Sequence, residues 1–119
     1  MDNHQFAQQL QIRLLGFSKK VILFCRKLPK DRINQNLSDQ LSRSGSSIGA
    51  NYIEANESLG GKDFYMRLKI CRKESKETVY WLEIIEDSVP ELSNEAKMLK
   101  SEADEYLRLF SSILNKLNH

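Results

Sequence analysis

The sequence predicts an all-α protein: an up-down-up-down antiparallel four-helix bundle forming a single domain over residues 1–119. Three observations lead there. Apolar residues recur at spacings of three and four along four stretches of similar length, which gathers them on one face of a helix in each. The stretches are parted by short breaks at Pro29, Gly60-Gly61 and Pro90, so that consecutive helices fold back on one another. Glycine and proline number only 5 and 2, too few for the many turns of an all-β fold.

The first helix is expected over about Gln5 to Leu28, with Phe6, Leu10, Leu14, Phe17, Val21, Phe24 and Leu28 inward. Pro29 stops it, because the residue before a proline avoids the helical region. The second is expected over about Leu37 to Ser58, capped by Asn36 or Ser38, with Leu37, Leu41, Ser44, Ile48, Tyr52, Ala55 and Leu59 inward and Gly60-Gly61 as its stop. The third runs from near Lys62 to before Pro90 on Phe64, Leu68, Cys71, Ser75, Val79, Leu82 and Ile85. The fourth, capped by Ser93 or Asn94, turns Leu99, Ala103, Tyr106, Phe110, Ile113 and Leu117 inward.

Two helices carry more than one such stripe requires. On the third, Met66, Ile70, Trp81 and Ile84 fall roughly opposite the core residues, with Lys73 and Glu77 among them. A lone bundle buries one seam, so this second seam marks Met66, Ile70, Lys73, Glu77, Trp81 and Ile84 as a candidate subunit interface, with Trp81 as its anchor. The alternative is that Trp81 and Ile84 fold under a loop. On the second helix, Gly45 and Gly49 stand four apart among small residues. Each glycine in a helix interior costs about 1 kcal/mol relative to alanine, so the pair predicts a groove that admits a neighbouring helix. Asn51 beside the inward stripe needs partners, for which Tyr52, Ser75 and Thr78 are candidates. Arg43 and Glu54 are too far apart to pair with each other and must reach another helix or subunit. Arg43, Gly45, Gly49, Asn51 and Glu54 are therefore read as specifying the bundle.

Charge is segregated although the net is only +2. Residues 1–36 hold Arg13, Lys19, Lys20, Arg26, Lys27, Lys30 and Arg32 against Asp2 and Asp31. Residues 62–76 are again basic, and residues 77–90 carry only Glu77, Glu83, Glu86 and Asp87. Arg13, Lys19, Lys20, Arg26, Lys27, Lys69, Arg72 and Lys76 are the candidates for contacting nucleic-acid phosphates. The competing reading of the first-helix cations is that they offset Glu83, Glu86 and Asp87, within or between subunits.

The residues speak against catalysis. His4 and His119 lie at the termini, no metal-ligand cluster appears, and Gly60-Gly61 is a helix-to-helix turn rather than a phosphate loop. A bundle metal site would pair glutamates with a Glu-x-x-His motif, which is missing. Cys25 and Cys71 are too few and too far apart for a disulfide framework or a zinc site. No enzyme activity, metal or cofactor is expected. No apolar run approaches the ~20 residues of a membrane span, and the start MDNHQFAQQL is unlike a secretory signal. A cytoplasmic protein with reduced thiols is the expectation.

The segments Arg43-Ser44, Ser47-Ile48-Gly49-Ala50-Asn51-Tyr52-Ile53-Glu54-Ala55, Asp63-Phe64, Lys73-Glu74, Glu77 and Tyr80-Trp81-Leu82 carry a resemblance covering approximately Leu15 to Glu86. They resemble a bacterial family of small four-helix-bundle proteins encoded in intervening sequences of 23S ribosomal RNA genes, related to the accessory protein of diversity-generating retroelements. Many members have Glu-Gly where this chain has Glu54-Ala55. The resemblance implies a bundle that assembles into a ring, typically a homopentamer. In the retroelement branch it implies a basic ring that binds nucleic acid and associates with a reverse transcriptase. The expected function is thus that of a non-enzymatic oligomer binding RNA or DNA through basic patches. The alternative is a scaffold ring that holds a protein partner and no nucleic acid.

Overall fold

The computed structural model describes residues 2–117, which form four α-helices with no strand among them. These are α1 (Asn3–Cys25), α2 (Arg32–Asn56), α3 (Gly61–Ser88) and α4 (Ser93–Leu117), with a 3-10 turn at Pro90–Leu92 before α4. The molecule measures 44 × 23 × 20 Å. Its long axis matches α3, whose 28 residues span about 42 Å at the helical rise.

All four helices feed one cluster of buried side chains. Phe17 and Phe24 from α1, Leu41 and Ile48 from α2, Leu68, Leu82 and Ile85 from α3, and Tyr106 and Phe110 from α4 are fully buried. Phe17 meets Tyr106 edge-on at 5.4 Å, and Tyr52 meets Phe110 at 5.8 Å between ring centroids. Contacts between helices pair late residues with early ones. Cys25 lies against Ser38 and Ser18 against Gly45, Cys71 against Ile48 and Thr78 against Ser44, Lys100 against Glu83 and Glu86, Lys27 against Glu95 and Arg13 against Glu105.

The glycine groove of α2 is filled by α1. A Cβ at position 45 would stand 2.9 Å from Val21 Cγ1, and one at position 49 would stand 3.2 Å from Leu14 Cβ. Glycine at both positions lets the two helices approach more closely than alanine would.

Several boundaries differ from the periodicity. α1 begins at Asn3 because Asp2 and Gln5 form a reciprocal capping box, and it ends at Cys25 rather than Leu28, although Leu28 is still buried. α2 starts at Arg32, with the Asp31 carboxylate accepting from the Asn34 backbone N–H; Asn36 and Ser38 lie inside the helix. It ends at Asn56, leaving Leu59 fully exposed in the turn, and Gly60 is the residue preceding α3 rather than the stop of α2. In α4 the inward residue of the last turns is Leu114, with Ile113 half-buried and Leu117 exposed.

Candidate nucleic-acid interface and subunit surfaces

The eight candidate cations divide into two kinds. On α1, Arg13, Lys20 and Lys27 stand seven residues apart and reach across to α4. Arg13 Nη2 lies 3.1 Å from Glu105, Lys20 Nζ 2.5 Å from Glu102 and Lys27 Nζ 2.9 Å from Glu95. Arg13 also lies 5.2 Å over the Tyr106 ring, whose hydroxyl bonds to Glu102. Burial and the neighbouring Glu102 push the Tyr106 hydroxyl well above its ordinary pKa. This comb of charges ties α1 to α4. Of the acidic residues read as offsets for it within the chain, Glu86 and Glu83 lie 2.7 and 3.7 Å from Lys100, and Asp87 makes no ion pair among the described residues.

Lys19, Arg26, Lys69, Arg72 and Lys76 make no ion pair among the described residues. Three of them share one place. Lys69, Arg72 and Lys76, joined by Lys73, surround a shallow groove between α3 and α4 whose floor is Met66, Ile70 and Leu107. Of these four cations only Lys73 makes an ion pair with a described residue, at 3.9 Å from Glu74, which is buried. Lys69 rests 5.8 Å from the Tyr65 ring centroid. Two of the expected interface residues, Met66 and Ile70, thus belong to the floor of a cationic groove.

The rest of the expected seam on α3 is more deeply engaged within the chain than its spacing suggested. Trp81 and Ile84 are partly buried against the core, and Trp81 Nε1 has no hydrogen-bond partner among the described residues. Tyr80 stacks its edge on Trp81 and is 58% exposed. Glu77 does not pair with Lys73. It accepts from Arg43 Nη2 at 2.9 Å, while Arg43 Nη1 donates to Glu74 at 3.2 Å. The Glu77 bond holds the Arg43 guanidinium above its ordinary pKa.

The remaining polar residues of α2 also resolve onto α3. Glu54 lies 3.9 Å from Arg67. Asn51 takes neither Tyr52, Ser75 nor Thr78 as partner: its amide donates to the Ser47 carbonyl at 2.9 Å, and its oxygen accepts from Arg67 at 3.3 Å. Thr78 instead bonds the buried Ser44 hydroxyl at 2.9 Å. Arg43, Asn51 and Glu54 therefore all act on the α2–α3 seam of their own chain.

One feature escaped the sequence reading. Ile12, Leu15 and Leu23 on α1 and Met98 on α4 are 69%, 56%, 58% and 73% exposed. The helical arithmetic applied to α3 would have found the three on α1, because Ile12, Leu15 and Leu23 all project away from Phe17.

Among the described residues no group of three His, Cys, Asp or Glu is placed to hold a metal ion, and no helix is long and apolar enough to cross a membrane. His4 is exposed near the start of α1, and His119 lies outside the described residues. Cys25 and Cys71 are buried and free. Burial pushes the Cys71 thiol up to about 12, so it remains protonated at neutral pH.

A family model described as 23S rRNA-intervening sequence protein matches residues 8–112. Among solved structures, one from Bacteroides thetaiotaomicron VPI-5482, described as a protein with unknown function from the S23 ribosomal protein family, superposes with a TM-score of 0.80 at 28% identity. The match covers 92% of this chain and 97% of that one. No curated protein matches the chain.

Proposed function

The chain belongs to the 23S rRNA-intervening sequence protein family, and on that premise we propose that it is a non-enzymatic homo-oligomer that binds nucleic acid, as RNA or a ribonucleoprotein, through its basic surface. The observation that carries this reading is the groove on α3. Lys69, Arg72, Lys73 and Lys76 line it within eight residues of chain, and among these four only Lys73 makes an ion pair with a described residue, at 3.9 Å from the largely buried Glu74. Cations crowded together without neutralising acids repel one another, and an approaching phosphate chain relieves that repulsion while releasing its own counterions. The cations of α1 that already hold α4 carboxylates contribute less. The Bacteroides protein's place in a ribosomal protein family is in keeping with an RNA ligand.

The bundle topology in this reading is up-down-up-down and antiparallel, supported by late-to-early pairing at every helix seam. One domain spans the chain, supported by a core to which all four helices contribute. A ring, with five copies favoured by the family resemblance, is supported by exposed apolar side chains on more than one side of the bundle. Buried, protonated thiols fit a protein that performs no nucleophilic chemistry and resides in a reducing cytoplasm.

A salt titration of binding to structured RNA and to duplex DNA, with assembly state followed in the same buffers, tests the reading. Binding at low salt that falls steeply as salt rises is the expected result. An intact oligomer that binds neither ligand at low salt overturns it. That outcome would favour a protein scaffold, a second reading supported by the exposed Ile12, Leu15, Leu23 and Met98.

A further inference from the structure

α1 has an outer face that no other helix of its own chain covers. Ile12, Leu15, Lys19, Leu23 and Arg26 fall within about a third of the helix circumference opposite Phe17. The three apolar residues are more than half exposed, and the two cations are left over from the comb that ties α1 to α4. The second half of α3 has the opposite character. Beyond Lys76 its outer face exposes Tyr80, Glu83 and Asp87, with the partly buried Ile84 beside them. Glu83 reaches only Lys100, at 3.7 Å, and Asp87 makes no ion pair among the described residues.

These two faces match in kind: apolar with cations against apolar with anions. They cannot meet within one molecule, because α1 and α3 are diagonal neighbours whose backbones do not approach within 8 Å. We propose that the outer face of α1 docks on the second half of α3 of a second copy of this chain, with Lys19 and Arg26 opposite Glu83 and Asp87. Along the helix axes the cations stand about 10 Å apart and the acids about 6 Å, a difference that flexible Lys and Arg side chains span. Two different patches make a heterologous contact, so each copy offers one free face of each kind, and repetition closes a ring if the rotation between copies permits. This inference rests on the oligomeric reading above and names the surfaces that build it. It also removes Lys19 and Arg26 from the nucleic-acid interface, leaving that role to the groove around Lys69, Arg72, Lys73 and Lys76.

The test is charge reversal with rescue, read as particle mass over a dilution series, with helicity and thermal midpoint confirming that each variant is folded. K19E/R26E and E83K/D87K are each expected to raise the concentration at which the oligomer dissociates by at least about tenfold, since like charges then face one another. The chain carrying all four reversals should recover the wild-type dissociation concentration to within about threefold. An equimolar mixture of the two pair variants, whose faces complement each other, should form mixed assemblies that neither forms alone. An oligomeric wild type indifferent to both pair reversals overturns the interface while leaving the oligomer standing, as does loss of assembly that neither the fourfold reversal nor the mixture restores. A wild type that is monomeric at every concentration overturns the oligomeric reading and this inference together.

Discussion

α1 meets its two neighbours in opposite ways. Against α2 it lies backbone-close, with Val21 and Leu14 packed on the bare Cα atoms of Gly45 and Gly49, and with Ser18 reaching the Gly45 carbonyl at 3.4 Å. Against α4, outside the Phe17–Tyr106 contact, it is held at arm's length by long charged side chains whose cationic heads are open to water, while Glu102 among their partners is largely shielded. The first seam depends on volume, where a single added methyl group would stand 2.9 Å from Val21 or 3.2 Å from Leu14 and the neighbour would have to shift. The second depends on charge at the surface, where solvent screens the attraction and the side chains lose rotamer freedom to make it. One helix thus has a rigid edge and a compliant edge. The lesson is that the number of polar bonds drawn across a seam says little about which seam holds the fold.

The comparison can be broken most forcefully at position 49. Gly49→Leu pushes a branched side chain into Leu14 and is expected to cost about 3 kcal/mol, visible as a lowered urea midpoint. Unchanged stability would show that α1 can slide away from α2 freely. An intermediate effect is expected at the α2–α3 seam. Arg43→Ala strips the chief partner from Glu74, whose side chain is only 7% exposed; with Lys73 still nearby and Arg43 itself half in water, the loss should be about 2 kcal/mol. Equal losses for Arg43→Ala and Lys27→Ala in the same denaturant series would erase the distinction between buried and exposed pairs.

The buried rung of the compliant edge should cost less. Tyr106→Phe removes the hydroxyl that bonds Glu102 while keeping the ring against Phe17. A loss of about 1 kcal/mol in thermal unfolding is expected, and a loss as large as that of Gly49→Leu would promote this seam to an equal of the other. The smallest effect belongs to Lys27→Ala, which should change stability by less than about 0.5 kcal/mol at physiological salt and by less still at high salt. A larger, salt-insensitive change would mean that the stem of Lys27, rather than its charge, holds α4.

Much of the fold was legible because burial follows period. The residues spaced by three and four on α1 to α4 are, with few exceptions, the ones the core contains. The start of α2 was not legible: its first turn, Arg32 to Asn36, holds one apolar residue, Ile33, which is 73% exposed, and its cap depends on Asp31 accepting from a backbone amide. Leu59 misled because it extends the α2 stripe by one step into a turn, where nothing covers it. The candidate site was legible as composition but not as arrangement. Eight cations could be named, yet which of them are already engaged depends on the facing helix. A sequence signal for this existed: Arg13, Lys20 and Lys27 repeat at seven, and so do Glu95 and Glu102. Opposite charges on one heptad spacing in the two outermost helices foretell a ladder between them.

The ordering of the helices has a consequence for biosynthesis. Each helix leans most heavily on its neighbour in sequence, while α1 and α4, which join the beginning of the chain to its end, touch far more lightly. Contacts between segments close along the chain carry a small loop-closure cost and form quickly. As the polypeptide leaves the ribosome, α1 can settle into the glycine groove of α2 before α3 has been made, and α3 can dock before α4. The final helix then seals a structure already in place, with a surface latch that need not be strong.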